Sequence, residues 1–131
     1  MTDVVTVDEL GRFRLRLERH LDQDPSRIWR VLTRLRRPPR LARVRPRALP
    51  PTLLEYTTGD TAVRWEIADD GCTGSVLVFT QMCGNRQDGV AEMGWWLTTL
   101  EVLGEKLAGR ADTDFPNRAR CMIDRCRCAF G

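Results

Sequence analysis

The residues of this chain that could do chemistry are one histidine, five cysteines, two serines and four tryptophans. His20 has Glu18, Asp22 and Asp24 around it, a setting that suggests acid–base work. It lies at the end of an alternating run, however, with no nucleophile or glycine loop beside it, and a working base needs a positioned partner. A surface histidine is the expectation. Ser26 and Ser75 stand in no G-x-S-x-G context, and neither a phosphate loop nor a GxGxxG is present. Cys121, Cys126 and Cys128 follow the spacing CxxxxCxC, which is no zinc knuckle, and His20 is far away in sequence. With Cys72 and Cys83 the count is odd and scattered, as expected of thiols in a reducing compartment. The residues therefore point to no catalytic centre, no metal and no cofactor.

The tryptophans carry more information. The stretch 92-EMGWWLTTLEVLGEKLAG-109 places apolar side chains on a helical beat. At 100° per residue, Met93, Trp96, Leu97, Leu103, Gly104 and Leu107 fall within about 60° of Leu100. Trp95 falls on the opposite side, so Trp96 reads as packed and Trp95 as peripheral or at an interface. Gly109 suits the C-cap.

The elements that must position this helix are legible upstream. In 12-RFRLRLERHL-21, Phe13, Leu15 and Leu17 alternate with polar residues, a half-buried strand. In 24-DPSRIWRVLTRL-35, Asp24 is an N-cap, Pro25 fits the first helical position, and Ile28, Val31, Leu32 and Leu35 form an i, i+3, i+4, i+7 stripe. Pro38 and Pro39 end that helix. A short strand within 41–49 is at best an edge strand, because Pro46 cannot donate to a ladder. Strands then follow at 53–58, 62–68 and 74–82, separated by Gly59-Asp60 and Asp69-Asp70-Gly71 turns. Residues 83–89 read as a loop. Residues 115–130 read as a short amphipathic helix with Ala119, Met122, Ile123, Cys126 and Phe130 on one face. Arg64 and Glu66 lie opposite Trp65 on their strand and read as exposed cross-strand polar residues.

The chain has 131 residues, 42% hydrophobic and 30% charged, an ordinary mix for one globular domain spanning 1–131. No apolar run approaches the roughly 18 residues of a membrane span. The N-terminus lacks the pattern of a secretory signal, so the expected location is the cytoplasm. Net charge is only +3. The charge is nonetheless lopsided: no acid occurs between Asp24 and Glu55, and that window holds nine arginines. Among them Arg36, Arg37, Arg40, Arg43, Arg45 and Arg47 form a candidate basic surface. A solvated, proline-rich segment is the expected role. Nucleic acid is not the expected partner, since no aromatic but Trp29 interleaves the block for base stacking.

The order strand, helix, antiparallel meander, long helix gives an α+β fold: a curved antiparallel sheet around a long C-terminal helix. In that order the chain resembles the START-like helix-grip superfamily (SRPBCC). Within it, the chain is similar to the subfamily named after the activator of the heat-shock-protein-90 ATPase. Three segments carry the resemblance. The first, 13-FRLRLERHLDQDPSRIWRVLT-33, resembles the opening strand and P-x-x-hydrophobic-W-x-x-L-T helix. The second, 50-PPTLLEYTTGDTAVRWEIADDGCTGSVLVFTQ-81, resembles the P-P-x-x-L-x-Y-T-W … V-x-W-E-L … G-T-x-L-x-L-T-H run, with Gln81 at the family's histidine. The third is the W-x-x-x-L-x-x-L-x-x-x-L-x-G register on Trp96, Leu100, Leu103, Leu107 and Gly109. The ending DRCRCAFG is similar to a D-R-Y-x-x-x-F-G close, with Cys126 at the aromatic.

Against that pattern the Arg/Pro-rich segment 34–49 stands where the family carries a hairpin, so about one hairpin, roughly 25 residues, is expected to be missing. The sheet is accordingly expected to be shortened to four or five strands. The resemblance implies a hydrophobic cavity between sheet and long helix, lined by Trp65, Phe79, Met93, Trp96, Leu97 and Leu100, with Trp29 nearby. A core filled by the same residues remains open as the alternative. The resemblance implies a noncatalytic module for a small hydrophobic ligand or a protein partner. The alternatives are a polyketide cyclase- or hydrolase-type enzyme of the same superfamily and a basic module for nucleic acid or anionic surfaces. An uncovered sheet edge implies a homodimer, with Trp95 at the contact.

Overall fold

A computed structural model describes residues 3–34, 47–58, 61–84, 86–109 and 115–129. In chain order it contains β1 (Val4–Val7), β2 (Phe13–Leu21), α1 (Pro25–Arg34), β3 (Arg47–Leu49), β4 (Leu53–Thr58), β5 (Thr61–Asp69), β6 (Ser75–Cys83), α2 (Arg86–Leu107) and α3 (Phe115–Ala129). The strands form one antiparallel sheet in the order β1-β2-β6-β5-β4-β3. The α+β class and the sheet-around-helix layout match the sequence reading.

The sheet has six described strands, not four or five. The additional one is β1, which pairs with β2 through Val4↔Arg16, Val5↔Leu15, Thr6↔Arg14 and Val7↔Phe13. The turn between them is built by Asp8, whose carboxylate accepts from the backbone N–H of Leu10 and Arg12, each at 2.9 Å. Gly11 takes a φ of 79°, which a side chain would strain. β3 is the edge strand expected of its proline-rich surroundings. Of the segment 34–49, residues 35–46 lie outside the described residues.

Strand alternation sets the two faces of the sheet. Along β6 every second residue is buried from Ser75 to Cys83, the pattern of a strand with one covered face. Leu15 and Leu17 of β2 and Val63, Trp65 and Ile67 of β5 point the same way and are almost fully buried. The opposite face is solvated and carries Arg14, Arg16, Glu18 and His20 beside Arg64 and Glu66.

α1 starts as its capping residue dictates, with the Arg27 N–H donating to Asp24 Oδ1 at 2.8 Å. It packs on β5 and on α2. The Arg27 guanidinium donates to the Leu107 carbonyl at the C-terminal end of α2. Gly109, at φ 80°, closes that helix.

α2 begins at Arg86, so the stretch 83–89 is not all loop. Gly89 lies inside the helix because a Cβ there would come within 3.1–3.3 Å of Phe13. A glycine read as a loop signal is a close approach of helix to sheet. α2 lies over β2 and β6, and α3 packs on α2. α3 buries Ala119 and Cys126 and half-buries Met122 and Ile123, the stripe read from sequence; Phe130 lies outside the described residues.

Candidate functional site

The site is built from two adjacent cross-strand rows on the covered face. One runs Leu54–Trp65–Phe79–Leu17 across β4, β5, β6 and β2. The next runs Tyr56–Val63–Gln81–Leu15. Side chains opposite one another on one face of a sheet are in contact range, so each row is a continuous strip. Trp65 and Phe79 meet with ring centroids 4.7 Å apart. Trp96 comes down from α2 onto both: its ring stands edge-on to Trp65 at 5.7 Å and lies 4.7 Å from Phe79. Each such pair adds about 0.5–1.5 kcal/mol beyond the area it buries. The three rings are 1%, 0% and 5% exposed, so the meeting point lies inside the molecule.

Both indole N–H groups are directed at polar atoms. Trp65 Nε1 donates to the Tyr56 hydroxyl at 3.1 Å. Trp96 Nε1 donates to Glu92 Oε2 at 2.9 Å, one helical turn earlier on α2. Tyr56 and Glu92 are half-buried, and Gln81 is buried at 1% exposure in the second row. An aromatic floor with a hydroxyl, a carboxylate and an amide around it results. No local sequence pattern marks Tyr56 as a member of this site. The signal that could have found Glu92 is its i,i+4 spacing from Trp96.

Of the residues expected to line a cavity, Trp65, Phe79, Met93, Trp96 and Leu100 come together between sheet and α2, all buried. Leu97 is half-buried, 100° round the helix from Trp96. Trp29 is half-buried on α1 against the core, while Ile28 and Leu32 are that helix's deeper residues. Trp95 is also half-buried against the core. Of the arginine block, Arg36, Arg37, Arg40, Arg43 and Arg45 lie outside the described residues, and Arg47 is placed only as the first residue of β3.

His20 projects from the solvated face, the opposite side from the aromatic rings, with its side chain 61% exposed. Its Nε2 lies 3.3 Å from Glu18 Oε2. That contact, with Arg16 next, holds the Glu18 carboxyl below its ordinary value. Three buried hydroxyls donate to backbone carbonyls: Ser75 to Gln23, Thr98 to Gly94 and Thr99 to Trp95. Among the described residues no group of His, Cys, Asp or Glu is arranged to hold a metal ion. Cys72 and Cys121 are exposed, Cys83 and Cys126 buried, and burial raises the Cys126 thiol. No helix among the described residues is long and apolar enough to cross a membrane.

No protein-family model and no curated protein matches the sequence. Solved structures do match the fold. An AHSA1-like protein from Rhizobium etli is 20% identical with a TM-score of 0.66, over 85% of this chain and 92% of that one. CalU16 from Micromonospora echinospora is 14% identical with a TM-score of 0.61, over 97% and 94%. A conserved protein of unknown function from Enterococcus faecalis is 15% identical with a TM-score of 0.67, over 94% and 89%. At these identities the likeness establishes the fold alone: an α+β helix-grip domain, shared with the AHSA1-like protein.

Proposed function

From that helix-grip fold we propose that this chain is a noncatalytic binding module that takes a small hydrophobic ligand at its aromatic cluster. The observation that carries the reading is the convergence of Trp65, Phe79 and Trp96 from three elements, with Tyr56 and Glu92 holding the two indoles. An apolar surface with a few fixed polar groups is the composition of a small-molecule site. Trp96 is the only one of the three rings carried by a helix. A rotation of that side chain separates it from the sheet and exposes the faces of Trp65 and Phe79 to a flat or aliphatic guest. Tyr56, Gln81 and Glu92 then supply the polar contacts that orient it.

A cyclase- or hydrolase-type reading would place its acid and amide at Glu92 and Gln81. Glu92 is engaged by the Trp96 indole, which favours a role in building the cluster over proton transfer. A protein partner, acting through the same module, is the other form of the binding reading.

Native mass spectrometry of the protein as purified from cells tests the proposal. The expected spectrum carries an adduct of a few hundred daltons that is lost in Phe79→Ala, which removes a ring face the guest covers. A second readout is quenching of tryptophan emission by 1-anilinonaphthalene-8-sulfonate. A clean apo mass with no quenching by the dye would overturn the ligand reading.

A further inference from the structure

The β1 edge carries an inference separate from the aromatic cluster. β1 pairs with β2 on one side, and no described strand pairs with its other side. The Asp8 N–H donates to the Arg12 carbonyl at 3.0 Å, so Asp8 and Arg12 are a hydrogen-bonded pair of the ladder. Hydrogen-bonded and non-hydrogen-bonded pairs alternate along antiparallel strands. Thr6 and Val4 therefore turn their backbone groups inward to β2, and Val5 and Val7 turn theirs outward. Those two residues also carry exposed side chains, 36% and 58%.

Edges of this kind are normally protected by charge, proline or a bulge. The opposite edge has such devices: β3 begins with Arg47 and runs into Pro50 and Pro51. The sequence of β1, VVTV, has none. The acids directly flanking it, Asp3 and Asp8, are neutralised within the chain. Asp3 is paired with Arg19 at 2.6 Å and Asp8 with Arg12 at 2.7 Å. In a second copy the exposed Glu9 comes opposite Asp3, whose charge is already met by Arg19, so the residual repulsion is weak and screened by salt.

We infer that β1 is a self-association edge, where two copies pair antiparallel about a twofold axis through Thr6. A twofold axis perpendicular to the sheet keeps each residue on its own face. With the axis at Thr6, Val5 of one copy stands opposite Val7 of the other, and Val7 opposite Val5. Both pairs lie in hydrogen-bonding register, and Thr6 faces Thr6. These are the β-branched and Thr–Thr pairs that stabilise antiparallel ladders. A contact this short buries less than the roughly 1,200 Å² of a stable complex. The dimer is accordingly reversible and forms at high protein concentration. This edge lies across the sheet from β3, the edge strand that follows the Arg/Pro-rich segment.

Two measurements on the full chain test it. Sedimentation from micromolar to millimolar concentration is expected to show a monomer–dimer equilibrium. Val5→Lys and Val7→Lys should each raise its dissociation constant about tenfold or more, worth 1.4 kcal/mol per tenfold step. Both sites are exposed, and near-ultraviolet circular dichroism confirms that each variant stays folded. Thr6→Cys is then oxidised with Cys72, Cys121 and Cys128 replaced by serine. It should yield a covalent dimer, because residues facing each other in a non-hydrogen-bonded pair lie about 4.5 Å apart at Cα. Ala48→Cys on β3, in the same background, should not. A protein monomeric throughout the series would overturn the inference. So would dimerisation unaffected by both lysine variants, or cross-linking at Ala48→Cys but not at Thr6→Cys.

Discussion

Gly94 and Gly104 lie on α2, yet the same substitution at each should move stability in opposite directions. A Cβ on Gly94 would lie 2.5 Å from Ile123 Cγ1 and 2.6 Å from the Ile123 Cα and backbone nitrogen. The Ile123 side chain can turn aside, but the backbone of α3 cannot. Carbon atoms in contact settle at about 3.5–4.0 Å, so α3 must retreat by about 1 Å along this line. That retreat strains the grip of Arg118 on Glu101 and Glu105, at 3.0 and 2.6 Å, which fastens α3 to α2. At Gly104 an added Cβ meets nothing within 4 Å.

Replacing a mid-helix glycine by alanine gains about 0.8–1.0 kcal/mol of helix propensity at either position. Overpacking a tight contact costs about 1–3 kcal/mol, and a backbone obstacle places Gly94 at the upper end. Gly104→Ala should therefore stabilise the fold by about 0.5–1 kcal/mol, and Gly94→Ala should destabilise it by about 1–2 kcal/mol. In melting temperature the two variants should separate by about 6–12 °C, at roughly 4 °C per kcal/mol for a domain of this size. Urea denaturation followed by tryptophan emission reads the difference directly. Equal stabilisation by the two substitutions would mean that α3 does not pack on Gly94, and the account of the two-helix layer would fail.

Trp96→Ala removes a ring that touches two others and should cost about 3–5 kcal/mol in the same denaturation experiment; a cost under about 1 kcal/mol would mean the cluster is not packed. The Asp8 carboxyl is held below its ordinary value, chiefly by the backbone N–H of Arg12. Its contribution to the β1–β2 turn is thus fully present above the unfolded value of about 3.9 and is lost as pH falls through the lower folded one. An NMR titration of that carboxyl with a midpoint at or above 3.9 would refute the turn geometry. Alkylation mapped by mass spectrometry should label Cys72 and Cys121 quickly and Cys126 slowly, since burial raises its thiol; labelling of Cys126 as fast as Cys121 would contradict its place on the buried face of α3.

Periodicity made the frame of the fold legible. The alternation in 12–21, the Asp24-Pro25 start and the leucine register of 96–107 translate directly into β2, α1 and the buried face of α2, because each reports burial along a single element. What the sequence hid depends on contacts between elements. β1 is four residues long, and its valines are exposed, so no burial pattern marks it. Its one signal was the polar Asp8–Arg12 turn between two β-branched and alternating runs. Gly89 looked like a loop residue because nothing local reveals that Phe13 presses on it. The candidate site was legible as apolar residues on the right faces. Its polar members were not, since Tyr56 meets Trp65 only through strand register.

The place of Trp96 follows from how the layers are offset. α2 lies over β2 and β6, while β5 is covered by α1. Between those two helices the sheet is spanned by a side chain, and the one that reaches from α2 across Phe79 to Trp65 is Trp96. A backbone element covers a sheet with many small contacts that must move together, whereas a side chain can leave by a change of rotamer. On the proposed ligand reading, a change of the Trp96 rotamer is the opening that leaves both layers folded. Glu92 would add to the cost of opening, because the Trp96 indole gives up its hydrogen bond when it turns. A net hydrogen bond to a charged group is worth about 1.5–3 kcal/mol. Turning out also gives up the two ring contacts, about 0.5–1.5 kcal/mol each, so on the proposed reading the closed form dominates when nothing is bound, and a hydrophobic guest would offset the cost by covering the exposed aromatic faces.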